Sequence, residues 1–168
     1  MVKVKEPNGY ILYEGLSNYD GEAIVVIATG FSLKSYNPKT GGMIQTWIMR
    51  QDTTPYEAIR NGNDYSVCGN CPLRPLNYKA NGLRKRCYVK VHNAPLKVWR
   101  KYKNGGYEHI TPERLRGLLQ DSNGIRLGSY GDPASVPFEV WQSIGVGSGE
   151  FNHTGYTLSL IHISEPTR

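Results

Sequence analysis

Cys68 and Cys71 form a CxxC pair, and Cys87, the last of three cysteines, follows after fifteen intervening residues. This spacing constrains the fold more than any other feature, because a shared centre would force a tight turn and a separate segment to meet. CxxC lets two sulfurs from one turn reach the same ion, with Gly69 easing the backbone between them. An odd, sparse set of thiols argues against a secreted disulfide framework and leaves metal binding, catalysis or burial. Tetrahedral zinc needs a fourth donor, which His92, spaced CxxxxH after Cys87, would supply as Cys₃His. An iron–sulfur cluster is the other metal centre: three cysteines hold three irons of a four-iron cluster and leave the fourth open, or a further cysteine outside this sequence completes the set. Two other readings stay open. Unrelated thiols are often simply buried, and Cys68 with Cys71 could form a redox dithiol, although the strand before and helix after such a motif are not evident.

The charge around the cysteines is one-sided. No carboxylate lies between Asp64 and Glu108, while Arg74, Lys79, Arg84, Lys85, Arg86, Lys90, Lys97, Arg100, Lys101 and Lys103 supply ten of the twenty basic residues. A phosphate-facing patch is one expectation, with Arg84, Lys85, Arg86, Lys97, Arg100 and Lys101 on the nucleic acid and Tyr78, Tyr88, Trp99 and Tyr102 available to stack on bases. The alternative is a solvated basic face that also balances metal-bound thiolates. No apolar run approaches the roughly 20 residues of a membrane span, and MVKVKEPNGY lacks the apolar core of a signal peptide. The expectation is a soluble, intracellular protein that binds no membrane.

At 168 residues and 39% hydrophobic content, one core and one domain are expected. GYILYEG, EAIVVIATG and MIQTWIMRQ are rich in β-branched and aromatic residues, with turn signals at Asn18 to Gly21 and from Asn37-Pro38 to Gly41-Gly42. They predict three consecutive strands of a meander. Thr54-Pro55 then opens a short helix through Arg60. After Cys87 the period changes: Asn93 caps a helix with Pro95 in its first turn and Leu96, Trp99 and Lys103 on one face, and Thr111-Pro112 opens another carrying Leu115, Leu118 and Leu119. GIRLGSYGDPASVPFEVWQSI reads as a strand from Ile125 to Ser129, a turn at Gly131-Asp132-Pro133, and a helix from Pro137 with Val140, Trp141 and Ile144 inward. Helix, strand, helix in that order suggests βα units.

LSLIHISEPTR, from Leu158, reads as the translation of a transposase adapter used in preparing sequencing libraries. The expectation is a single α/β domain over residues 1 to 157, the amino-terminal part of a longer protein, followed by a non-native tail over 158 to 168. His162 then carries no function, and removing the tail should not destabilise the rest.

VCGNCP followed by RCYV, a helix with VW, GIRLGSYGDPASVPFEVW and HTGYT together resemble a family of phage and prophage proteins of unknown function. That family is similar to the phage gene-88 product group, with its CxxC, downstream CY and strand ending in GD before a helix. The resemblance spans residues 9 to 157. It implies an incomplete, TIM-barrel-like α/β fold akin to radical-SAM enzymes, carrying an N-terminal β meander and a cysteine-bound iron–sulfur or metal centre. It also implies expression in the cytoplasm of a bacterial host. The chain lacks CxxxCxxC, which argues against reductive cleavage of S-adenosylmethionine, and the resemblance supplies no established activity.

On a barrel strand over 125 to 129, Ser129, Tyr130 and Asp132 stand at the carboxyl end, the face where such folds place their chemistry. Asp132 there would orient a ligand, bind a metal-held water or act as a base; otherwise it forms the turn before Pro133. Ser129, Tyr130 and His153 are the candidate cofactor contacts, with Tyr156 beside the next strand lining the same pocket. Arg126 alternates with the inward positions and should face helices or solvent.

Overall fold

The β-branched runs of the first fifty residues form the centre of one sheet. A computed structural model of the chain describes residues 7–32, 41–76 and 87–158. Strands β1 (Gly9–Leu16), β2 (Ala23–Thr29) and β3 (Ile44–Arg50) pair antiparallel as a meander. Ile24, Val25, Val26, Ile27 and Ala28 of β2 are all fully buried, because this strand has a neighbour on each side and is covered on both faces.

The chain next forms α1 (Pro55–Asn61). Thr54 Oγ1 accepts from the Glu57 amide at 3.1 Å and the Glu57 carboxylate reaches back to the Thr54 amide, a capping box around the expected proline start. The one-turn helix α2 (Tyr65–Cys68) follows at once. After residue 87 come α3 (Ala94–Lys103), a two-residue strand β4 (Glu108–His109), α4 (Pro112–Gln120), β5 (Ile125–Tyr130), a 3₁₀ turn over Pro133–Ser135, α5 (Phe138–Ser143) and β6 (His153–Gly155). Thr111 caps α4 through its hydroxyl, as expected, with Leu115 and Leu119 buried beneath. Asn93 precedes α3 but its side chain makes no cap, since its backbone leaves the extended region that capping uses. Pro137 stands one residue before α5 rather than inside it.

The sheet order is β4-β1-β2-β3-β5-β6, with β5 parallel to β3, β6 parallel to β5 and β4 parallel to β1. The expected βα units are therefore present on one side, where helices carry the chain from β3 to β5 and from β5 to β6. The sheet is mixed and open. It does not close into a barrel, because β4 and β6 lie at opposite edges, and β2 runs against its neighbours, so the continuous parallel order of a barrel is absent. No helix among the described residues is long and apolar enough to cross a membrane. Of the residues singled out from the sequence, Asn37-Pro38, Tyr78, Lys79, Arg84, Lys85, Arg86, His162 and the tail beyond Leu158 lie outside the described residues.

Candidate functional site

The carboxyl ends of the parallel strands β3 and β5 carry the loops that hold the cysteines. Arg50, the last residue of β3, is buried and places its guanidinium on four oxygens of three side chains: both of Asp52 at 2.8 Å, one of Glu22 at 2.9 Å and Ser66 Oγ at 2.9 Å. Ser66 Oγ in turn donates to Asp20 at 2.8 Å, and Ser17 Oγ donates to the Ser66 carbonyl at 2.6 Å. This network fixes α2 against the sheet. Trp99 of α3 donates its indole N–H to the Arg50 carbonyl at 2.9 Å, anchoring the helix after Cys87 to the same strand end.

The CxxC turn is built on a second buried arginine. Cys68 N–H donates to the Asp64 carbonyl, Gly69 N–H to Tyr65, and Cys71 N–H to the Cys68 carbonyl at 3.1 Å. Arg74, only 7% exposed, reaches under this turn, with Nη2 on Asp64 Oδ1 at 2.6 Å and Nη1 on the Gly69 carbonyl at 2.9 Å. Asp64 is itself 1% exposed, so the two charges neutralise each other away from water. The other Asp64 oxygen, Oδ2, and Arg74 Nε are buried without a hydrogen-bond partner among the described residues.

The third wall comes from β5, which bulges. Gln45 faces Arg126 and Trp47 faces Tyr130, so three residues of β5 oppose Thr46 alone. Thr46 Oγ1 fills the break by accepting from the Gly128 amide at 2.8 Å and donating to the Arg126 carbonyl at 3.1 Å. Gly128 has φ +68°, and a Cβ on it would meet the Gly131 carbonyl at 2.5 Å, so only glycine fits. The bulge ends the strand's alternation and buries Ser129 and Tyr130 in succession. Ser129 Oγ donates to Gln45 at 2.6 Å, whereas Tyr130 turns to the cysteines. The Asp132 amide then bonds the carbonyl of Val67, the residue before Cys68, and locks the loop after β5 to α2.

A cavity of about 260 Å³ opens where these parts meet. Cys68, Cys71, Cys87, Tyr130 and Asp132 all line it, with Gly128, Gly131 and Tyr156. Each cysteine is half-buried. Burial pushes the Cys68 thiol well above its ordinary value, reinforced by Asp64, Cys71 and Cys87, and burial does the same to Cys71. Arg74 acts in the opposite sense on both thiols and is the buried cation closest to the CxxC turn's own chemistry. Burial, with Cys68 beside it, also raises Tyr130. Among the described residues no group of three or more His, Cys, Asp or Glu is placed to hold one metal ion as the side chains stand.

The structure thus brings together the three cysteines, Tyr130 and Asp132 of the residues singled out from the sequence. Asp132 already serves the turn: Oδ1 accepts from the Ala134 amide at 2.9 Å and Oδ2 from Thr157 Oγ1 at 2.8 Å. His92 is exposed in the turn before α3 and does not line the cavity, whereas its neighbour Val91 is buried in the core. Ser129 points to Gln45 instead, on account of the bulge. His153 is exposed on β6 and borders a separate, largely apolar cavity of about 480 Å³ with Trp141, Phe138 and Val146; Tyr156 lines both spaces. Arg126 donates to the Tyr88 hydroxyl at 2.8 Å.

Lys97, Arg100 and Lys101 are exposed along α3. Two of the expected base-stacking rings beside them are tied into the fold: Trp99 bonds the Arg50 carbonyl, and the Tyr102 hydroxyl bonds Glu14. Lys101 lies over the Tyr107 ring at 4.5 Å. The Arg50 and Asp64–Arg74 networks were missed from the sequence, since no local pattern distinguishes these buried ion pairs from charges on a solvated face. The one available signal was CxxCxxR, an arginine three residues after Cys71 at the start of a carboxylate-free stretch. No protein-family model, curated protein or solved structure matches the chain.

Proposed function

We propose that the chain is a metalloprotein whose Cys68, Cys71 and Cys87 hold one centre at the carboxyl ends of β3 and β5. The observation that carries this reading is that three thiols from two separate segments line a single cavity, with Tyr130 and Asp132 on its far wall. The donor chemistry fits a soft or borderline metal, and Arg74 beneath the turn supplies positive charge to offset thiolates. Zinc with four ligands requires sulfurs about 2.3 Å from one ion. The reading we favour is a cluster of several irons bridged by sulfide, with Cys68, Cys71 and Cys87 each holding one iron, as the resemblance implies.

Such a centre at the carboxyl ends of parallel strands is what the resemblance to the phage protein family implies, and the parallel β3-β5-β6 segment is compatible with part of a radical-SAM-like barrel. A bound cluster would supply electron transfer or an open iron for a ligand. This chain's residues supply the rest: the CxxC turn presents two sulfurs, the bulge closes the wall opposite, and the Asp132–Thr157 pair holds the rim. Anaerobic purification, with an absorption spectrum and metal and sulfide analysis, tests the reading. Broad visible absorption with iron and sulfide supports the cluster. Colourless protein with zinc replaces it by the zinc centre, and protein without metal refutes both.

A further inference from the structure

The Tyr130 hydroxyl is the feature of this cavity that packing does not explain. Tyr130 is 4% exposed, its oxygen is fully buried, and no hydrogen-bond partner reaches it among the described residues. A phenylalanine would fill the same volume without burying a polar atom, and an unpaired buried hydroxyl costs about 1–3 kcal/mol. The Gly128 bulge is what brings this side chain to the cavity instead of leaving it on the alternating face of β5. Tyr130 shares this cavity's wall with Cys68, Cys71 and Cys87, and the charged or ionisable groups that act on its hydroxyl are Cys68, Asp64, Cys87 and Arg74. A neutral thiol is a weak acceptor, whereas a metal-bound thiolate or bridging sulfide carries negative charge and accepts strongly.

We infer that the Tyr130 hydroxyl is a built-in hydrogen-bond donor to a sulfur of the cysteine-held centre, its partner arriving only with the metal. This rests on the reading of the cavity as a metal site. The hydroxyl orients the sulfur and spreads its charge, as outer-shell donors do, and it marks the cavity as shaped for anionic sulfur rather than for an apolar ligand.

Tyr130→Phe tests it in the full chain, purified anaerobically with the metal it carries. Competition with a chelator should show the variant's affinity for that metal reduced about ten- to hundred-fold. After the metal is stripped, the variant should melt at the same temperature as the stripped wild type or higher, because an unpaired hydroxyl has been removed. Equal metal affinity in the two proteins would overturn the role of Tyr130 while leaving the metal centre standing. A stripped variant that melts lower than stripped wild type would also overturn it, by showing that the hydroxyl has a partner within the protein. A wild type that carries no metal would remove the reading itself and this inference with it.

Discussion

Strand β2 and the end of β5 lie in the same sheet with β3 between them, and they are built to opposite standards. Along β2, five consecutive apolar residues are fully buried and pair in unbroken register with β3. At the end of β5 the register breaks, glycines adopt left-handed backbone, and the Tyr130 hydroxyl is buried without a hydrogen-bond partner among the described residues, as are Asp64 Oδ2 and Arg74 Nε beneath the CxxC turn. Buried polar groups in folded proteins are nearly all satisfied, so the Tyr130 hydroxyl in the cavity wall and the unpartnered atoms of the Asp64–Arg74 pair beneath the CxxC turn are costs that β2 does not carry. The meander is scaffold, and the cysteine cavity is what it supports.

The sharpest way to break this contrast is at the Asp64–Arg74 pair. Arg74→Met should cost about 3–5 kcal/mol in urea denaturation, because it leaves the buried Asp64 carboxylate without its cation. Combining it with Asp64→Leu should recover most of that loss. A double variant no more stable than the single one would mean that Arg74 acts by packing under the CxxC turn, not by charge.

Ile27→Ala, in the middle of β2, should cost about 2–5 kcal/mol through the cavity it leaves. Metal content per folded molecule should stay unchanged, measured on protein purified at a temperature where the variant is folded. Loss of metal in step with stability would dissolve the distinction between scaffold and site.

Much of the scaffold was legible and much of the site was not, for physical reasons. EAIVVIATG could only be a central strand, and Thr54-Pro55 announced a helix start, because propensity and capping act over a few residues. β4 is two exposed polar residues, Glu108 and His109, ordered only by pairing with β1, and carries no local signal. The three cysteines were expected to share one centre from their chemistry, and in the structure they line one cavity. The exclusion of His92 and Ser129 was not foreseeable, since it follows from how the turn before α3 is placed and from a bulge filled by Thr46, eighty residues away from Arg126 in sequence.

A smaller effect should come from Gly131→Ala. Gly131 has φ +82°, and a Cβ there would lie 2.7 Å from both Ile48 Cβ and the Ile48 carbonyl, so strain of about 1–3 kcal/mol is expected. Because Gly131 lines the cavity, metal retention should fall as well. Thermal melting with metal analysis checks both, and a loss of stability with intact metal would place Gly131 on the scaffold side.

The mildest effect is alkaline. Burial holds Cys68 and Tyr130 protonated in the folded, metal-stripped chain, with folded values raised above the unfolded ones of about 8.5 and 10. The folded state therefore binds more protons above those values. Stability should be intact below about pH 8.5 and decline as pH rises through the thiol range and then the tyrosine range. Cys68→Ala should weaken the first decline in a series of urea melts, the remainder being due to Cys71, and an unchanged decline would assign the Cys68 thiol to solvent.

Cys87→Ser provides the most direct test, because only the fold brings residue 87 to a CxxC turn that ends sixteen residues earlier. The measurement is the metal-to-protein ratio of the anaerobically purified variant beside wild type. If the three thiols hold one centre, losing this ligand should strip nearly all the metal while the β1–β3 meander stays folded. A variant that keeps wild-type occupancy would contradict the account and leave Cys87 as a thiol that merely lines the wall.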